Sequence, residues 1–101
     1  QLMKGLALAN EQKSLHAFVS GRVQGVFYRG SLEQQALGLS LRGFAQNLTD
    51  GGVEYLEVGD SEAVDELHQW SQIGPPLAKV VSVDVVGYSG DEVFSTFSIR
   101  Y

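Results

Sequence analysis

Between Leu15 and Leu39 the chain reads LHAFVSGRVQGVFYRGSLEQQALGL, and the period of its apolar residues changes part-way along. Leu15, Ala17 and Val19 alternate with His16, Phe18 and Ser20, which is the period of a strand buried mainly on one face. Leu32, Ala36 and Leu39 then recur at i, i+4 and i+7, so a helix follows and stops near Gly38. The ten residues between them, GRVQGVFYRG, hold three glycines, and the chain must turn there before entering the helix.

Downstream, LRGFAQNL reads as a second strand and VEYLEV as a third; Asp50, Gly51 and Gly52 supply the positive φ of a tight hairpin between them. Asp60 or Ser61 caps a second helix, with Glu62 in its first turn and Ala63, Leu67 and Trp70 as its apolar stripe. Gly74, Pro75 and Pro76 end it. KVVSVDVV, with Val81, Val83 and Val85 alternating, is a fourth strand, and FSTFSIRY, with Phe97, Ile99 and Tyr101 alternating, is a fifth. This order is βαββαβ plus a short terminal strand. Two short helices with one stripe each cover one face of one sheet, which predicts an α+β, ferredoxin-like two-layer sandwich with an antiparallel sheet. The domain runs over residues 15–101, and residues 1–14, which show no alternation, are expected to form a flexible N-terminal tail.

At 101 residues the chain is long enough for one small core. With no cysteine and two histidines, His16 and His68, it offers no thiolate nucleophile, no iron–sulfur cluster and little from which to build a metal site. No apolar run approaches the roughly 20 residues needed to span a bilayer, so a soluble, cytoplasmic monomer is expected. The net charge is −5, but it is unevenly spread: residues 1–50 carry five cations and three anions, residues 51–101 two cations and nine anions. An anion site therefore belongs to the first half.

The loop before the first helix has the makings of one. A compact turn opening into a helix points several unpaired N–H groups at one spot, and the helix dipole adds about half a positive charge there. Arg29 falls within the first turn, where the dipole disfavours a cation by a few tenths of a kcal/mol unless an anion is present. The spacing is not that of the nucleotide loop GxxxxGK[ST], so no triphosphate site follows. Two glycines and an arginine at a helix start are also what an ordinary turn would show. Likewise Asn47, at the end of the second strand, is on its own terms a turn residue.

The stretch VSGRVQGVFYR, residues 19–29, resembles the signature of the acylphosphatase family, V-x-G-x-V-Q-G-V-x-F-R, with Tyr28 in place of the usual Phe or Met. The resemblance extends through GLSLRGFAQNLTDGGVEYLEVG, GPPLAKVVSVDV and the last strand, over residues 14–101. It implies hydrolysis of acyl phosphates to a carboxylate and inorganic phosphate, with no metal, cofactor or covalent intermediate. It assigns phosphate binding to Gln24, Gly25, Val26, Phe27, Tyr28 and Arg29, and catalysis to Arg29 and Asn47, with Asn47 orienting the attacking water. Phosphate or sulfate would bind as product or inhibitor.

Three rivals remain. An RNA-binding module of the same shape would use Arg42-Gly43-Phe44-Ala45, but Gln46 and Thr49 stand where its stacking aromatics belong, and the net charge opposes nucleic acid. A non-catalytic phosphate or acyl-phosphate binding module would share the same donors. A carbamoyl-phosphate-handling relative within a larger hydrogenase-maturation protein is disfavoured by the end of the chain at Tyr101.

Overall fold

The computed structural model describes residues 11–101. Strand β1 spans Gln12–Arg22, helix α1 Tyr28–Gly38, β2 Arg42–Asn47, β3 Val53–Asp60, α2 Ser61–Ser71, β4 Lys79–Val86 and β5 Phe97–Arg100. The strands form one sheet in the order β4-β1-β3-β2-β5. Its first four strands pair antiparallel, as the ferredoxin-like order requires. The fifth corrects the expectation of an all-antiparallel sheet, because β5 pairs parallel with β2, with Ala45 opposite Ile99. A parallel neighbour needs a crossover connection. The last part of that connection, between β4 and β5, touches the sheet face away from the helices, where Tyr88 lies against His16 and Phe94 against Phe44.

The helix-facing side carries the core. Leu15, Ala17 and Val19 of β1 meet Leu32 and Ala36 of α1 and Val64 and Leu67 of α2, all buried. The stripe of α2 is thus centred on Val64, Leu67 and Ser71; Ala63 and Trp70 pack at its margin. Asp60 is the residue before α2, but its side chain makes no capping hydrogen bond. In β4 the apolar contacts to the core come from Val80 and Val83, while Val81 and Val85 are exposed, since this is an edge strand whose register shifts opposite Ser20 and Gly21.

Strand β1 begins three residues before Leu15, so Gln12, Lys13 and Ser14 belong to the sheet and not to a tail. They are exposed and carry no apolar alternation; their ladder to Asp60, Gly59 and Val58 holds them. The first ten positions of the expected tail lie outside the described residues. Gly43 has a strict steric role: at φ 139° a Cβ there would sit 1.9 Å from the Leu56 carbonyl oxygen.

Glu57 went unremarked in the sequence because it alternates with apolar neighbours like any strand residue. It stands on β3 opposite Leu15 and Gly43, fully buried, and neither carboxylate oxygen has a hydrogen-bond partner among the described residues. Burial, and secondarily the Asp65 carboxylate, push its pKa up to about 9, with Lys13 opposing. A carboxyl whose folded pKa is raised binds more proton in the native than in the unfolded chain, so its contribution to stability is complete below about pH 4 and lost as pH rises toward about 9. Urea unfolding at about pH 5, 7 and 9 should therefore show falling stability in the wild type and a flatter profile in Glu57→Gln. Equal slopes in the two proteins would contradict a neutral Glu57.

Candidate active site

The loop between β1 and α1 is fastened from below by Val23 and Val26, both buried, and turned by two residues in the left-handed region. Gly25 has φ 75°, and a Cβ there would meet nothing within 4 Å, so only the backbone angle calls for glycine. Phe27, the residue before α1, has φ 63° and ψ 26°. That conformation costs a non-glycine residue roughly 1–2 kcal/mol and persists only where the surroundings impose it. The amides of Tyr28, Arg29 and Gly30 open the helix and have no intrahelical acceptor. Among the described residues, none of the amides of Gln24 to Phe27 donates to a backbone carbonyl.

Gln24 turns its side chain away from this ring of amides. Its Nε2 donates to the carbonyls of Leu48, at 2.7 Å, and Gly52, at 2.8 Å, which are the two ends of the β2–β3 turn. That turn is itself closed by Leu48 N to Gly52 O, at 2.8 Å, and by Gly52 N to Asp50 Oδ1, at 2.9 Å. The residue entering it is Asn47, so the clamp fixes Asn47 beside the loop. A cavity of about 390 Å³ lies between them, lined by Gly25, Phe27, Tyr28, Arg29, Gly30 and Asn47 and closed by Val23, Ile99 and Tyr101. Arg29 is the one charged residue in that lining. Its Nη1 donates to the Arg100 carbonyl at 3.3 Å, and its guanidinium lies 5.0 Å from the centre of the Tyr101 ring.

A cationic fork and an amide-bearing side chain on one small cavity, above a loop of open N–H groups, is an arrangement for a tetrahedral anion. The acylphosphatase family model matches residues 15–99. The chain belongs to the acylphosphatase family. It is 45% identical over 87 residues to an acylphosphatase from Methylococcus capsulatus, covering 86% of this chain and 95% of that one. Among solved structures, an acylphosphatase from Bacillus subtilis superposes with a TM-score of 0.83 at 32% identity, covering 90% of this chain and all of that one. One from Coxiella burnetii gives 0.81 at 36%, covering 88% and 93%.

Of the six loop positions that the acylphosphatase signature singles out, Gly25, Phe27, Tyr28 and Arg29 line the cavity. The side chains of Gln24 and Val26 do not: the first is on the hairpin clamp and the second is buried beneath the loop, while the amides of both donate to no backbone carbonyl among the described residues. Tyr28, the departure from the signature, hides its ring against Trp70, at 5.9 Å between centroids, and donates its hydroxyl to the Ser71 carbonyl at 2.7 Å. Burial pushes its pKa far above the usual tyrosine value, so it stays a neutral donor tying the loop to α2.

The wall residues Ile99 and Tyr101 were read only as strand alternation. They reach the cavity because β5 lies parallel beside β2, a pairing with no local signal in sequence. His16 is half-buried, 2.7 Å from Glu54 Oε2, and the other carboxylate oxygen of Glu54 accepts from Gln46. His68 Nδ1 lies 3.5 Å from the Tyr55 hydroxyl. Asp65 and Glu92 form exposed ion pairs with Lys13 and Arg100. Phe44 is buried under the Arg100 guanidinium, 3.9 Å from its ring centre.

Removing the clamp isolates its role. Gln24→Ala loses two hydrogen bonds, each worth about 1 kcal/mol net, and should lower stability by about 1–3 kcal/mol. Because Asn47 is then no longer fixed against the loop, kcat should fall with it. Stopped assays alongside thermal unfolding check both; a variant that loses stability but keeps full kcat would show that the clamp does not position Asn47.

Proposed function

We propose that the chain hydrolyses acyl phosphates to a carboxylate and inorganic phosphate, with Arg29 and Asn47 as its catalytic residues. The carrying observation is that these two side chains, eighteen positions apart in sequence, share the wall of one cavity above the open amides of the loop. Family membership supports the reaction class.

The phosphoryl oxygens sit among the amides of Gly25 to Gly30 and exchange the weak Arg100 carbonyl contact of Arg29 for a charge-assisted pair. The Asn47 carboxamide accepts from a water and holds it in line with the scissile P–O bond. As the water oxygen bonds to phosphorus, the P–O bond to the acyl group breaks and its electron pair leaves on the carboxylate. The water's protons pass to solvent and phosphate.

A carboxylate with a conjugate-acid pKa of about 4 leaves unprotonated, so no general acid is needed. A loose transition state asks for in-line positioning and stabilisation of charge on the phosphoryl oxygens, which amides and a guanidinium supply without a metal. On this reading the protein acts as a monomer in the cytoplasm. Orthophosphate and sulfate occupy the loop as competitive inhibitors.

Benzoyl phosphate hydrolysis in EDTA tests this reading. Arg29→Gln should lose binding and rate together, and Asn47→Ala should lower kcat about 10²-fold or more with a smaller change in KM. Wild-type turnover by Asn47→Ala would remove Asn47 from the mechanism. Loss of activity in EDTA, restored by Mg²⁺, would overturn the metal-free reaction. Neither a guanidinium nor a carboxamide titrates between about pH 5 and 8, so kcat should be nearly flat there. A steep bell would implicate His16, His68 or a carboxylate instead. Phosphate binding without turnover would leave a binding module.

A further inference from the structure

Beside the phosphoryl cavity lies a second hollow of about 560 Å³, with an apolar wall of Val26, Phe27, Gly30, Pro75, Pro76 and Leu77 and a polar edge of Ser31, Glu33 and Gln34 on α1. The two hollows share Phe27 and Gly30. We propose that this apolar hollow receives the acyl end of the substrate and selects uncharged aromatic or extended aliphatic acyl groups. The proposal rests on the acyl-phosphate reading and names the part of the substrate that the loop itself does not grip.

Single exposed apolar residues are ordinary on a protein surface. Phe27 is not ordinary, because it is 84% exposed, bounded by a hollow on each side and held there by a left-handed backbone. The turn that presents the loop amides to an anion thus also keeps a phenyl ring at the junction of the two hollows. That ring lies over Gly30, where a Cβ would come no closer than 4.0 Å to its Cδ1.

The opposite wall is equally fixed. Gly74, at φ 73°, turns the chain after α2 and packs against the Tyr28 ring, so that a Cβ there would sit 2.9 Å from Cε2. Pro75 and Pro76 follow with their φ angles locked, and Leu77, 70% exposed, ends the wall. A wall already rigid loses little conformational entropy when a ligand meets it.

The chemistry of the substrate supplies the direction. In an acyl phosphate one bridging oxygen separates phosphorus from the acyl carbon, so a phosphoryl group seated on the loop leaves its acyl substituent at the rim. Of the surfaces bordering the phosphoryl cavity, the second hollow, which shares Phe27 and Gly30 with it, offers the acyl group a largely apolar wall. Glu33 is the one charged residue in the lining of the second hollow, and its carboxylate disfavours acyl groups bearing a second carboxylate or phosphate.

The test compares kcat/KM for benzoyl, acetyl and succinyl phosphate in the wild type, Leu77→Ala, Leu77→Asp and Glu33→Gln, with the inhibition constant of orthophosphate measured in each. Leu77 is exposed, so its substitution leaves the core intact. The benzoyl-to-acetyl ratio should fall about fivefold in Leu77→Asp and less in Leu77→Ala, mostly through KM, at an unchanged phosphate inhibition constant. Glu33→Gln should raise the succinyl rate about threefold at low salt. Turnover of all three substrates with ratios indifferent to Leu77 and Glu33 would overturn the acyl hollow and leave the acyl-phosphate reading standing. A chain that turns over none of them overturns that reading, and the hollow falls with it.

Discussion

Two hydrogen bonds from one glutamine hold the site together. Gln24 leaves the loop and gives both N–H groups of its side chain to carbonyls of the β2–β3 turn. Without that clamp the loop and the hairpin are neighbours only through the sheet, which fixes strands and not the segments beyond their ends. With it, the turn carrying Asn47 and the turn carrying Arg29 form one rigid rim. An amide is suited to this because it donates twice in fixed geometry and carries no charge to compete with the anion the rim is built around.

The rest of the architecture bears on the same rim. Tyr28 is tied through its hydroxyl to the end of α2, Val23 and Val26 are sunk in the core, and β5 closes the far side with Ile99 and Tyr101. These anchors sustain a left-handed Phe27 and a cation at a helix N-terminus, both unfavourable alone. Strain held in place by surrounding packing is a mark of a site prepared for its ligand. An anion bound as proposed would relieve the second of these costs, since it would place negative charge between the dipole and the guanidinium.

Much of this was legible in the sequence, for identifiable reasons. The elements were read from periodicity, and periodicity is a local property that β1, α1 and the β2–β3 hairpin express clearly. Arg29 was reached through the signature it belongs to and Asn47 through the resemblance that extends beyond it, and the cavity brings them together. What escaped depends on long-range pairing. The parallel seat of β5 beside β2, the burial of Glu57 at the centre of the sheet and the half-burial of His16 under Tyr88 follow from which strands become neighbours. The side chain of Gln24 escaped in another way: the motif gives its place in the loop, and only its contacts show it fastened to the hairpin. In α2 the stripe was displaced by one residue, because Val64 and Ala63 are both apolar and only the packing distinguishes them.

In the proposed reading, main-chain amides of one loop, joined by one guanidinium, form a cradle for a tetrahedral dianion. Amide chemical shifts followed while orthophosphate is titrated into the protein test it most directly. Saturable shifts are expected to concentrate at the amides of Gly25 to Gly30, with the side-chain signals of Arg29 and Asn47 moving at the same dissociation constant. Shifts that fail to saturate, or that fall elsewhere on the sheet while the loop stays silent, would contradict it.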